Sequence, residues 1–186
     1  MTVPARIEPS PADGLGQPMS WEEYERLGED IRAQYVDGRL VMSPSPSRRH
    51  QRVARRLANG LEAVLPDGWQ VDAFWGWKPG RDEFIPDVIV YPETEEQVRF
   101  TGTPALVVEV LSGNRSTDLV VKVGKYAAAG LAHYWVLDLR DEVLEAFALR
   151  NGMYEPAARL ERDQRADLGF GIATLQVDLG ALLSPR

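Results

Sequence analysis

Leu106-Val107-Val108-Glu109-Val110-Leu111 and, upstream, Phe84-Ile85-Pro86-Asp87-Val88-Ile89-Val90-Tyr91 each set one acid within an otherwise apolar strand. The first is nearly continuous Val and Leu, the pattern of a central strand covered on both faces. A buried carboxylate is unfavourable by several kcal/mol, roughly, unless it is paired, hydrogen-bonded or bound to a metal. Two such acids in one small chain therefore call for a cation.

Working outward, Ser20 and Glu23 form a capping box at the start of a short helix over Trp21 to about Leu27, with Met19 stapling onto Tyr24. Ala33 to Pro44 reads as a hairpin turning at Asp37-Gly38. Pro44 and Pro46 break the chain before a helix from Arg48 to Leu65, whose buried stripe is Val53, Leu57, Leu61 and Val64. Three strand-like segments follow: Trp69–Trp77, Glu83–Pro92 and Ala105–Ser112. A third helix, Thr117 to Ala129, stops at Gly130. His133–Leu139 is a strand, and Asn151-Gly152 turns a hairpin after it. The segment around Ile172–Leu183 is ambiguous between strand and helix. This order predicts an α/β (α+β) domain with a mixed central β-sheet flanked by helices. Strands and helices do not alternate regularly, and no Gly-rich phosphate loop is present, which excludes a doubly wound nucleotide-binding fold.

The chain has 186 residues, 44% hydrophobic and 26% charged, which suits one domain over residues 19–186 behind a flexible tail over 1–18. No apolar run approaches the roughly 18 residues that span a bilayer, and the N-terminus lacks a signal-peptide core. Without cysteine there is neither a disulfide framework nor a thiolate metal site. A cytoplasmic protein with no membrane partner is expected. The net charge of −7 disfavours a broad electrostatic grip on nucleic acid. Arg48, Arg49, Arg52, Arg55 and Arg56 nevertheless cluster on one helix, where a solvated face is the plainer reading than a phosphate-binding stripe.

Hard divalent cations take oxygen ligands, and Asp87 and Glu109 on neighbouring strands supply two carboxylates. The backbone carbonyl of Val110 is a third candidate. A cationic side chain completes such a site. Asp118 and Lys122, four residues apart, project from one helical face, and Lys125 lies one turn further on. Spacing alone leaves both lysines open, although Lys122 begins nearer the strand end. Plainer readings exist: Asp87 after Pro86 suits a turn, Asp118 suits a first helical turn, and an Asp118–Lys122 pair is worth only a few tenths of a kcal/mol, roughly. Glu109 has fewer structural excuses. Trp75, Trp77, Tyr134 and Trp135 read as core or interface aromatics, and His50 and His133 lack zinc-ligand spacing.

Taken in order, YVDGRLVMSPSPSRRHQRV, PDVIVY, VVEVLS and DLVVKVGKYAAAGLAHYWVLD resemble the Uma-type family of putative restriction endonucleases, within the PD-(D/E)XK nuclease superfamily. The resemblance covers about residues 19 to 180. It implies that Asp87 and Glu109 bind magnesium (manganese as a substitute) and that the lysine has moved from the strand to the helix as Lys122, with Asp118 and Tyr126 beside it. It further implies metal-dependent phosphodiester hydrolysis, DNA rather than RNA as partner, and a homodimer. His50, Arg49 and Arg52 are candidate phosphate contacts. One departure stands out: Gln34 occupies a position where the family usually has glutamate. That substitution supports an alternative, a catalytically impaired nuclease fold acting as a binding or regulatory module. A hydrolase of another phosphate ester is a third reading.

Overall fold

A computed structural model describes residues 16–27, 31–43, 45–112 and 116–185, with the backbone alone for 116–120. Its elements, in chain order, are β1 (Gln17–Pro18), α1 (Trp21–Glu25), β2 (Ala33–Val36), β3 (Arg39–Met42), α2 (Arg48–Glu62), β4 (Trp69–Asp72), β5 (Gly76–Trp77), β6 (Val88–Pro92) and β7 (Arg99–Phe100). They continue with β8 (Leu106–Leu111), α3 (Ser116–Ala128), β9 (His133–Asp138), β10 (Val143–Arg150), β11 (Met153–Glu161), β12 (Arg165–Gly169), β13 (Thr174–Asp178) and α4 (Leu179–Leu183). Six strands form the central sheet in the order β11-β10-β9-β8-β6-β4. Only β8 and β9 run parallel within it, and α3 is the crossover that a parallel pair requires. The expected mixed sheet flanked by helices is the fold observed.

Alternation along β6 and β8 sorts their side chains onto two faces. Val88, Val90, Leu106, Val108 and Val110 meet Val53, Ala54, Leu57 and Leu61 of α2 in one core. Ile89, Tyr91 and Val107 face the other way, into an aromatic core with Trp77, Phe84, Tyr126 and Tyr134. Glu109 shares the parity of Val107 and so belongs to the aromatic face. The antiparallel register pairs Val88 with Val108 and Ile89 with Val107. Continued by one position, it sets Asp87 opposite Glu109.

Local sequence accounts for the ends of the elements. Ser20 and Glu23 satisfy each other's backbone N–H groups at the start of α1. Asp37-Gly38 and Asn151-Gly152 turn with φ of 51° and 72°, and 51° and 81°, the double left-handed geometry of the favoured hairpin turn. Gly130, at φ 77°, closes α3. Its N–H reaches Ala127 O at 3.0 Å, and that of Leu131 reaches Tyr126 O at 3.1 Å, the double bond of a Schellman cap.

Three expectations need correction, and one open reading is resolved. Asp87 precedes β6 rather than lying inside a strand. Helix α2 ends at Glu62 and not at Leu65; Pro66 bars Leu65 from helical geometry, and Val64 is 36% exposed and outside the buried stripe. The Trp69–Trp77 segment breaks after Asp72, because Phe74 adopts φ 61° and its N–H turns to Asp87 O at 3.3 Å. The ambiguous C-terminal segment divides into β13 and α4, with β12 and β13 pairing as a separate two-stranded sheet. Residues 1–15 and Pro44 lie outside the described residues, while Gln17 and Pro18 pair with Leu40 and Arg39.

Leu61 is fully buried between α2 and the sheet. Leu61→Ala is expected to destabilise the protein by about 2–5 kcal/mol, as a shift in the urea unfolding midpoint with an unchanged slope.

Candidate active site

The two acids meet where β6 and β8 diverge. Past Val88 and Val108 the backbone ladder stops, and the Val110 N–H instead donates to Asp87 Oδ2 at 2.7 Å. His50, one turn into α2, places Nε2 2.7 Å from Asp87 Oδ1. Against a carboxylate that nitrogen carries the proton, leaving Nδ1 buried with no hydrogen-bond partner among the described residues. Asp87 is thus clamped between a helix side chain and a strand amide.

Glu109 takes its partners from α3. Lys122 Nζ donates to Glu109 Oε1 at 3.1 Å, and Tyr126 OH donates to the same oxygen at 2.8 Å. Lys122 and Tyr126 are four residues apart, so one helical face presents both. Asp87, Glu109 and Lys122 are only 7%, 4% and 4% exposed. Burial raises the Glu109 carboxyl above its ordinary value; the Lys122 ammonium opposes that shift, the Asp87 carboxylate adds to it, and hydrogen bonds from Tyr126 and Lys122 oppose it.

These side chains line a narrow cleft of about 30 Å³, large enough for an ion or a water and far too small for a nucleotide. Gln34 also lines it. Its Oε1 accepts from the Ile85 N–H at 3.3 Å and its Nε2 donates to Ser43 Oγ at 3.2 Å. The amide therefore joins Ser43 to Ile85 across the cleft wall, two contacts that a glutamate could also make by accepting from the Ile85 N–H and the Ser43 hydroxyl. Asp118 falls within α3, but its side chain lies outside the described residues. Lys125 is elsewhere, 2.6 Å from both Asp37 and Asp82.

Structure therefore brings together Asp87, Glu109, Lys122, Tyr126, His50, Gln34 and the Val110 backbone. Arg49 and Arg52 are not among the cleft's lining residues. Arg49 bonds Leu139 O at 2.8 Å and Glu142 at 2.5 Å, and Arg52 donates to Pro185 O at 3.1 Å. Arg56 caps the last carbonyls of α4. Much of the basic cluster ties α2 to the C-terminal segment. Sequence reasoning passed over Arg32 and Phe74, which also line the cleft. A signal for Arg32 existed: it stands two residues before Gln34, at the strand period, opposite the apolar Ala33 and Tyr35.

Oxygen donors dominate this site, which suits a hard divalent ion. Each carboxylate oxygen has two lone pairs, so the hydrogen bonds to Asp87 and Glu109 do not exhaust them. Among the described residues, no three His, Cys, Asp or Glu side chains gather as a ready-made metal cluster. An ion here would draw on two carboxylates, backbone oxygen and water.

A mixed sheet carrying two acids at a diverging strand pair, with a lysine laid against one of them, defines a restriction-endonuclease-like fold. The chain belongs to the Uma2 family, described as putative restriction endonuclease, whose model matches residues 21–180. A crystal structure of a putative nuclease from Anabaena variabilis superposes with a TM-score of 0.72 at 18% identity, covering 90% of this chain and 100% of that one. No curated protein matches the chain. Among the described residues, no helix is long and apolar enough to cross a membrane.

Lys122→Met removes a charged donor from Glu109 and should destabilise the fold. Because the Glu109 value is already raised above 4.5, the folded state holds a proton over a pH range where the unfolded chain does not, and stability falls as pH rises through it. Losing Lys122 widens that range. The loss measured by urea unfolding should therefore be larger at pH 8 than at pH 5; an equal loss at both would mean the ammonium does not compensate Glu109.

Proposed function

We propose that this chain is a magnesium-dependent endonuclease that hydrolyses phosphodiester bonds in DNA, with manganese able to replace magnesium. The observation that carries the reading is the convergence of Asp87 and Glu109 on one cleft, with Lys122 held against Glu109. Asp87, Glu109 and the Val110 carbonyl would hold the ion. Bound there, the ion would lower the pKa of a water and offset charge on the scissile phosphate. His50 fixes the Asp87 carboxylate and the Tyr126 hydroxyl fixes Glu109, so both acids are oriented before the ion arrives. Lys122 supplies positive charge beside Glu109, where it can orient the attacking water. Homodimer formation and a cytoplasmic setting belong to the same proposal.

Gln34 favours a second reading, in which the fold binds nucleic acid without cutting it, because a neutral amide stands where the family usually carries an acid. A plasmid-nicking assay separates the two. The wild type should cut in magnesium or manganese and not in EDTA, and Asp87→Asn, Glu109→Gln and Lys122→Met should each slow cutting by about 100-fold or more. Cutting that persists in EDTA or in Glu109→Gln would sink the metal mechanism. DNA binding with no cutting by the wild type would select the second reading.

A further inference from the structure

Resting on the nucleic-acid reading above, the cleft leaves one task without an obvious residue. A phosphodiester is negative, and so are the two acids it must approach. Lys122 is engaged with Glu109 and His50 with Asp87. Arg32, immediately before β2, lines the same cleft and is half-buried. Among the described residues, no carboxylate or carbonyl accepts from its guanidinium. Instead its Cζ lies 5.0 Å from the centre of the Phe74 ring. A cation–π contact does not use up the N–H donors of a guanidinium, and that fork can grip two phosphate oxygens at once.

The support for that fork is itself fixed. Phe74 sits in the left-handed region at φ 61°, uncommon for a bulky side chain and more often found at functional sites. Phe74 also packs against the core beneath α2 and lies 6.0 Å from the His50 ring at an interplanar angle of 26°. The Arg32 carbonyl accepts from the Ser43 N–H at 3.0 Å, which ties its backbone to the wall that Gln34 holds. Beyond Phe74 and Ile85, which line both spaces, a groove of about 870 Å³ opens.

We propose that Arg32, placed over the Phe74 ring, contacts the non-bridging oxygens of the backbone phosphate next to the two acids. The test is binding, read by fluorescence anisotropy of a short labelled DNA duplex, with calcium in place of magnesium to suppress cutting. Thymidine 3′,5′-bisphosphate, titrated by calorimetry, is the second ligand. Arg32→Gln keeps the stem packed on Phe74 and removes the charge. It should weaken both ligands about tenfold or more and lower the slope of log affinity against log salt by about 1, with an unchanged melting temperature. Arg32→Lys should recover the salt slope but not the full affinity, and it carries the test if Arg32→Gln melts early. Wild-type affinity and slope in Arg32→Gln would overturn the assignment while leaving the nucleic-acid reading intact. Arg32-dependent binding of the bisphosphate without duplex binding would sink DNA as the substrate and keep the phosphate contact. Failure of the wild type to bind either ligand would overturn both.

Discussion

A carboxylate buried in the middle of a sheet has to be answered by a donor, and much of this structure follows from how Glu109 is answered. Strand β8 is covered on both faces, so no solvent reaches the acid from the sheet side. The compensation comes from α3, the crossover that the parallel pair β8 and β9 requires. Lys122 and Tyr126 then reach one Glu109 oxygen from successive turns. The aromatic core around Trp77, Phe84 and Tyr134 seats the helix that carries them.

The second acid is answered differently. Asp87 sits where β6 has not yet begun, and its two oxygens take a ring nitrogen from α2 and an amide from β8. The two helices on opposite faces thus serve one acid each, and the sheet holds the acids in register. Arg49, Arg52 and Arg56, a group that charge alone would offer to a phosphate, instead fasten α2 to the turn after β9 and to the C-terminal segment. The same helix carries His50 to Asp87. Positive charge at the cleft comes from residues scattered along the chain rather than from the basic run.

Much of this was legible in the sequence. The near-continuous apolar run around Glu109 marked the central strand, the Asp-Gly and Asn-Gly pairs marked the hairpins, and helical spacing placed Lys122 and Tyr126 on one face. What sequence left open depended on three-dimensional neighbours. Val64 had the right spacing for a buried stripe, but Pro66 ended the helix too early to use it. Trp69–Trp77 looked like one strand, because the left-handed turn at Phe74 falls on a residue type that rarely takes it. The division of labour among the arginines turned on carbonyls 90 or more residues away, which no local pattern encodes. Arg32 was missed because its partner is a ring rather than an acid.

The arrangement on α3 has one more consequence. Lys122 and Tyr126 belong to one helix and donate to the same atom, so a shift of α3 as a body acts on both bonds at once. Any slide or roll of α3 against the sheet removes the ammonium and the hydroxyl together. Helix position and the protonation of the acid are then coupled, because two of the groups that hold the Glu109 value down ride on α3. The helix acts as a lever whose short arm ends on a single oxygen.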